Sequence, residues 1–215
     1  MEKLFVYFLQ IWHGVGFSLT LLAGGFFVGI TLGTILAITR YTRFRFITNQ
    51  VITLVRSTPL ILQVSIIYFA IPGALGVHLN VLTAGIIAFG INSSAYVSEI
   101  LRAGIESLPR GQFEAAQALG IPKYYTWRDI ILPQVVSNVL PALVNEIIAL
   151  LKETSIISVI GGTDIMRRAQ ITAAENFEYF TPLCIAGFCY YVLVVLIEFI
   201  GKQIAKRTCH YHAKN

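Results

Sequence analysis

Five stretches of about 20 mostly apolar residues divide this chain, and they restrict its fold more than any other feature. About 20 apolar residues are needed for a helix to cross the hydrocarbon core of a bilayer, where every backbone polar group must be satisfied internally. The stretches cover residues 15–39, 51–71, 81–103, 133–151 and 181–204. The sequence therefore predicts an all-α membrane protein with five transmembrane helices.

The composition is typical of a membrane protein and argues against a soluble or a nucleic-acid-binding protein. Only 13% of the 215 residues are charged and the mean hydropathy is +0.72, whereas about 25% of the residues in a soluble domain are charged. A chain of this length with five spans has little room for a second domain, so residues 1–215 are expected to form one transmembrane domain. The net charge of +5 is explained by membrane topology, and no nucleic-acid partner is expected.

Basic residues are concentrated in the loops on one side of the membrane. That side carries Arg40, Arg43, Arg45, Arg102, Arg110, Lys123, Arg128, Lys202, Lys206, Arg207 and Lys214, and the other carries only Lys3, Lys152, Arg167 and Arg168. Because positively charged loops stay in the cytoplasm, the N-terminus is predicted to lie outside and the C-terminus inside. The polar loop of about 104–132 then faces the cytoplasm.

This loop contains the segment GQFEAAQALGIPKYYTWRDIILPQ (111–134). Phe113, Ala116 and Leu119 form an apolar stripe at helical spacing, and Gly120 is suited to end that helix in left-handed geometry. Pro122 fits the start of a second short helix that runs through Trp127 to Pro133. On residues alone, the first helix could lie on the membrane surface. Alternatively, its small Ala115, Ala116 and Ala118 could fit a groove on another protein.

The same segment resembles a known family. Glu114-Ala115-Ala116, three residues, Gly120, nine residues and Ile130-x-Leu132-Pro133 match the EAA signature of ABC importer permeases at every fixed position. The stretches at 56–63, 92–120 and 140–160 look like the polar amino-acid uptake branch, which includes histidine, glutamine and arginine permeases. One departure is Glu153, in Lys152-Glu153-Thr154-Ser155, where the branch commonly has Asp.

The resemblance implies a type I importer permease of the bacterial inner membrane, whose coupling helix carries Glu114, Ala115, Ala116 and Gly120 and docks on a separate ATPase. The implied partners are two ATPase subunits, a second permease chain (identical or a sister chain), a periplasmic or extracellular amino-acid-binding protein and membrane lipid. The chain has no G-x-x-x-x-G-K-[ST] phosphate loop. It is therefore expected to be no enzyme and to hold no cofactor or metal, with ATP and Mg bound by the partner.

Polar residues inside the spans are the candidates for substrate binding, because ionisable groups at membrane depth usually face the bundle interior. An amino acid needs acids or carbonyls around its ammonium group, and N–H groups, hydroxyls or amides around its carboxylate. The candidates are Thr58, Asn92, Glu146, Glu153 and Ser155. Pro59 should break the second span near Thr58. Alternatively, Glu99 and Glu146 could have structural roles, paired with arginine or capped by the backbone.

These features favour ATP-driven import of a polar amino acid by alternating access, and the surplus of acids favours a basic or polar substrate. The rival is an ion-coupled secondary amino-acid transporter, in which intramembrane acids would titrate. Five spans without an internal repeat fit that class poorly, and the polar loop would have no role in it. A channel is less favoured, since no ring of pore-lining residues is evident.

Overall fold

In a computed structural model, residues 2–213 are described, with side chains up to residue 206. This part of the chain is helical with no strand. The helices are α1 (Glu2–Thr39), α2 (Arg45–Ser57), α3 (Leu60–Leu75), α4 (Val81–Glu106), α5 (Gly111–Ala118), α6 (Lys123–Ile160), α7 (Ile165–Asn176) and α8 (Phe180–Ala213). Arg207 and Lys214, assigned to the cytoplasmic side from the sequence, lie beyond the described side chains.

Four of these helices, α1, α4, α6 and α8, are long and apolar enough to cross a membrane. The fifth span is the pair α2 and α3, which meet at a bend of 99°. The prediction of five spans is confirmed, with a broken second span. The first helix begins at Glu2, well before residue 15, and it packs closely on α7: a Cβ at Gly14 would lie 2.7 Å from the backbone nitrogen of Ile165.

The break between α2 and α3 falls at Thr58 and Pro59, as the sequence predicts. Proline has no N–H to donate, so carbonyls of the preceding turn need other partners. Gln63 supplies them: its Nε2 donates to the Val55 carbonyl at 2.9 Å, to Thr58 Oγ1 at 2.9 Å and to the Thr58 carbonyl at 3.2 Å. The bend is therefore fixed by hydrogen bonds.

The loop between α4 and α6 is shorter than predicted. Residues Trp127 to Pro133 do not form a separate short helix, because α6 begins at Lys123 and continues through Pro133. A π-helical turn at Thr126–Ile131 directly precedes that proline, and such turns relieve the crowding that proline causes in a regular helix. The segment between α4 and α6 is thus reduced to α5 and its two turns.

Glycines bring α1 and α4 into close contact. A Cβ at Gly25, Gly29 or Gly33 would lie 2.8 to 2.9 Å from atoms of Phe89, Ser93 or Ser94 and Val97 on α4. Small residues at four-residue spacing let helix backbones approach closely in membranes, where dispersion contacts replace the hydrophobic effect. These two helices form the centre of the described bundle.

The last turns of α6 and the residues that follow it return into the protein. Residues Thr154–Ile160 form a 3₁₀ turn with Ile157 and Ile160 buried, and it ends at Gly161 with φ of +87°. Asp164 then caps α7 by accepting the N–H groups of Met166 and Arg167, and it also accepts the Tyr190 hydroxyl at 3.2 Å. Burial raises the pKa of the Asp164 carboxyl, and these hydrogen bonds oppose that rise.

Candidate functional site

Helix α5, which carries the EAA residues, ends in a Schellman motif. The N–H of Ile121 donates to the Ala116 carbonyl at 3.0 Å, and the N–H of Gly120 donates to the Gln117 carbonyl at 3.0 Å. Gly120 has φ of +68°, the left-handed conformation that this motif requires. The predicted helix end at Gly120 is therefore confirmed, and the chain turns sharply there towards α6.

One side of α5 faces the protein and the other is open. Ala116 is 2% exposed, and the ring of Phe113 meets the ring of Trp127 edge-on at 5.8 Å. Glu114 and Ala115 are exposed, and Leu119 is 77% exposed. The predicted stripe was wrong at Leu119, because the helix ends before this residue. The slim outer surface consists of Ala115 and Ala118, since Ala116 points inwards.

Within the bundle, Glu146 of α6 is bonded to α4. Ser93 Oγ donates to Glu146 Oε1 at 2.8 Å, and a Cβ at Gly29 of α1 would lie 2.8 Å from Ser93 Cβ. Glu146 therefore has no arginine partner among the described residues, contrary to one of the alternatives for this acid. Ser93 was not identified from the sequence, because a single serine in an apolar helix usually bonds to its own backbone.

Two further substrate-binding candidates, Asn92 and Glu153, have side chains without a hydrogen-bond or ion-pair partner among the described residues. Asn92 is 5% exposed and its amide makes no hydrogen bond to a described residue. Glu153 is the last residue of the α-helical part of α6, and its carboxylate forms no ion pair or hydrogen bond within residues 2–206. It lies seven residues after Glu146, hence about 10 Å along the same helix face.

The hydroxyls of Thr58 and Ser155 are used locally. Thr58 Oγ1 donates to the Leu54 or Val55 carbonyl, each at 3.1 Å, and accepts from Gln63. Ser155 Oγ donates to the Lys152 carbonyl at 2.8 Å. No hydrogen bond joins any two of the five substrate-binding candidates. In the described part of the chain, no group of three His, Cys, Asp or Glu side chains could hold a metal ion.

Glu99 has the structural environment that its spacing to Arg102 indicates. Its carboxylate contacts Arg40, which directly follows α1, at 2.6 Å, Arg102 of α4 at 2.9 Å and Arg56 of α2 at 3.5 Å. The Arg56 guanidinium also lies 5.5 Å from the centre of the Tyr96 ring. One acid thus ties together three helices at the end of the bundle from which α5 follows.

The chain matches a described protein family over most of its length. The family described as "Binding-protein-dependent transport system inner membrane component" matches residues 29–209. A putative glutamine transport system permease protein from Rickettsia conorii is 51% identical over 182 residues, which cover 83% of this chain and 84% of that protein. An arginine transport system permease protein from Bacillus subtilis is 42% identical over 200 residues, covering 92% and 91%.

Comparison with solved structures also finds ABC transporters. The crystal structure of an amino acid ABC transporter with histidines superposes with a TM-score of 0.89 at 34% identity, covering 96% of this chain and 97% of that one. A methionine ABC transporter in inward-facing conformations superposes with a TM-score of 0.73 at 18% identity, covering 97% and 98%. The second likeness concerns the fold alone.

Proposed function

This chain belongs to the family of binding-protein-dependent transport system inner membrane components. We propose that it is the membrane subunit of an ATP-driven importer and carries a polar amino acid across the membrane. Its fold is that of type I ABC importer permeases, and it is a membrane-spanning amino-acid ABC permease. An ion-coupled secondary transporter is disfavoured by this fold and family.

The observation that carries the mechanism is the construction of α5. It is a helix of 8 residues with Glu114 and Ala115 on its open side, and its direction is fixed by the Schellman turn at Gly120. A short rigid helix of this kind suits docking into a groove of a partner. We assign Glu114, Ala115, Ala116 and Gly120 to ATPase coupling, Ala116 by packing α5 on the chain and Gly120 by setting its turn.

Helix α6 directly connects α5 to the intramembrane acids, so movement of α5 can reach them. Helix α6 starts three residues after Gly120 and continues from Lys123 to Ile160, carrying Glu146 and Glu153. At about 1.5 Å per residue, Glu146 lies roughly 35 Å along this helix from its start. When the ATPase subunits close on ATP, displacement of α5 would tilt α6 and alter the surroundings of both acids, as alternating access requires.

The proposed assembly contains two ATPase subunits, which bind ATP and Mg and perform the hydrolysis, while this chain holds no cofactor. A second permease chain, identical or a sister chain, completes the pathway, and a periplasmic or extracellular binding protein delivers the amino acid. The proposed orientation has the N-terminus outside and α5 in the cytoplasm, since basic residues flank α5 and the inner ends of the spans.

For the substrate we propose that Glu146 and Glu153 attract the ammonium group and that Asn92 donates to the carboxylate. Asn92 is buried and the two glutamates are half-buried, and the chain leaves the polar groups of all three unpaired or singly paired. Thr58 and Ser155 remain in the proposal at a lower rank, because rearrangement must first release their hydroxyls. Two half-buried acids favour a basic or polar amino acid.

A substrate panel tests this assignment. The chain would be co-purified with its ATPase and binding protein, and ATP-driven uptake of labelled arginine, histidine, lysine, glutamine and glutamate would be measured in proteoliposomes. We expect uptake of at least one basic or amide amino acid. Saturable glutamate uptake without uptake of any of the other four would overturn the substrate proposal while leaving the transport mechanism intact.

A further inference from the structure

A basic groove lies at the end of the bundle formed by α1, α2 and α4, separate from the acids assigned to the substrate. Its volume is about 680 Å³ and it is partly open to the outside. Its lining consists of Arg40, Tyr41, Thr42, Arg45, Asn49, Glu99, Arg102 and Glu106. Three arginines thus face two glutamates, and neither the transport mechanism nor the α5 surface uses this groove.

Arg40 is the central residue of the groove because its guanidinium is buried but only partly bonded. The side chain is 10% exposed. Its Nε donates to Asn49 Oδ1 at 2.8 Å and its Nη2 donates to Glu99 Oε1 at 2.6 Å, whereas Nη1 has no hydrogen-bond partner in the described chain. A buried charged donor without an acceptor is costly, so an anion at Nη1 would be stabilised.

The acids of the groove are already shared by several arginines. Glu99 contacts Arg40, Arg56 and Arg102, and Glu106 accepts from Arg102. Arg45 is exposed and forms no ion pair with a described residue. The lining therefore carries a net positive charge, with Glu99 shared among three arginines and Arg45 without an ion pair.

We propose that this groove binds a phosphate group. Guanidinium groups bind phosphate through parallel N–H···O bonds, which the Nη1 of Arg40 and the guanidinium of Arg45 can supply, and the Tyr41 hydroxyl can add a further donor. The two sources of such a group are the head group of an anionic phospholipid and a soluble phosphate.

The surroundings of the groove suit a lipid. Arg40 directly follows the last residue of the α1 span, so the groove lies at the level where head groups begin. Tyr41, Phe44, Phe46 and Ile47 next to it are all exposed, from 49% to 74%, and can contact acyl chains. Basic pockets between transmembrane helices are a recognised form of lipid head-group site. Which leaflet supplies the lipid depends on the proposed orientation of the chain. Binding of the phosphate group to the groove does not depend on that orientation.

Binding would be measured on the detergent-solubilised complex with three probes: short-chain phosphatidylglycerol, short-chain diacylglycerol and inorganic phosphate. We expect phosphatidylglycerol to bind and diacylglycerol not to bind at the same concentration. Binding of phosphatidylglycerol far tighter than inorganic phosphate identifies a lipid site, and equal binding of the two identifies a soluble-phosphate site. Absence of binding by both phosphate probes, or equal binding of diacylglycerol, overturns the proposal.

Two variants locate the site. Arg45→Gln removes an exposed charge that has no partner in the described chain, so the complex should fold normally, and affinity for phosphatidylglycerol should fall about 5-fold. The matched control is Arg43→Gln, since Arg43 is also exposed but contacts Phe44 and does not line the groove. Equal affinity of the two variants would contradict the assignment. The assay needs neither ATP nor transport, so its failure is distinct from failure of the proposed function.

Discussion

Replacing Gly120 by alanine would test how the α5 turn contributes to transport. Gly120 has φ of +68°, and a Cβ built on it would meet nothing within 4 Å in this chain. The cost of Gly120→Ala is therefore purely conformational. An L-residue in left-handed geometry costs about 1 to 2 kcal/mol, which lowers the population of the closed turn relative to alternatives roughly 5- to 30-fold.

The assay is ATP-driven uptake together with ATP hydrolysis by the reconstituted complex. We expect Gly120→Ala to reduce uptake per ATP hydrolysed, and Gly120→Asn to reduce it less, because asparagine tolerates left-handed geometry. Gly111→Ala, at the other end of α5, without positive φ and with open space at its Cβ, is the matched control. Wild-type coupling in Gly120→Ala would refute the role of this turn.

Gly120→Asp tests whether a partner approaches the surface at this turn. Aspartate also tolerates left-handed geometry, so the turn itself should largely survive. We expect this variant to uncouple transport because a charge is introduced where the partner must approach. Normal ATP-driven uptake by Gly120→Asp would contradict docking at this surface.

Three further variants test the bundle. Glu153→Gln should impair uptake while the complex still assembles, whereas Glu175→Gln on the exposed part of α7 should not; wild-type uptake by Glu153→Gln would leave Glu153 a structural residue. Gln63→Leu should destabilise the protein by about 1 to 3 kcal/mol, since carbonyls at the break lose their donor; an unchanged melting temperature would contradict that role. Gly33→Ala should lower thermal stability by about 1 to 3 kcal/mol through overpacking against Val97, and Gly16→Ala, which has open space, should not; equal melting temperatures for these two would exclude the close α1–α4 contact.

The features that follow from local chemistry could be predicted from the sequence. The spans were visible from length and hydropathy, the break from Pro59, and the end of α5 from Gly120. The break and the helix end each depend on one residue type whose backbone restricts the structure directly.

Features that depend on tertiary contacts were missed or misplaced. The sequence alone gives no sign that Gln63 bonds the break or that Ser93 bonds Glu146, because both bonds need partners fixed by the fold. Pro133 suggested a helix boundary, yet a π-helical turn lets α6 continue through it. Leu119 fitted an apolar stripe by spacing but lies beyond the last turn of α5, where no neighbour covers it.

The substrate-binding set of Thr58, Asn92, Glu146, Glu153 and Ser155 stays a prediction. The fold gives Asn92, Glu146 and Glu153 unpaired or singly paired polar groups, which a ligand can use. It engages the hydroxyls of Thr58 and Ser155 in local hydrogen bonds. Spacing could identify polar residues on one helix face, but it could not show which polar groups are left unpaired and which are already hydrogen-bonded to the backbone.

The energy source of transport tests the central claim most directly. The complex, with its ATPase and binding protein, would be reconstituted in proteoliposomes, and amino-acid uptake would be measured once with ATP and no ion gradient and once with a proton or sodium gradient and no ATP. We predict uptake with ATP alone and none with either gradient alone. Uptake driven by a gradient in the absence of ATP would contradict the account.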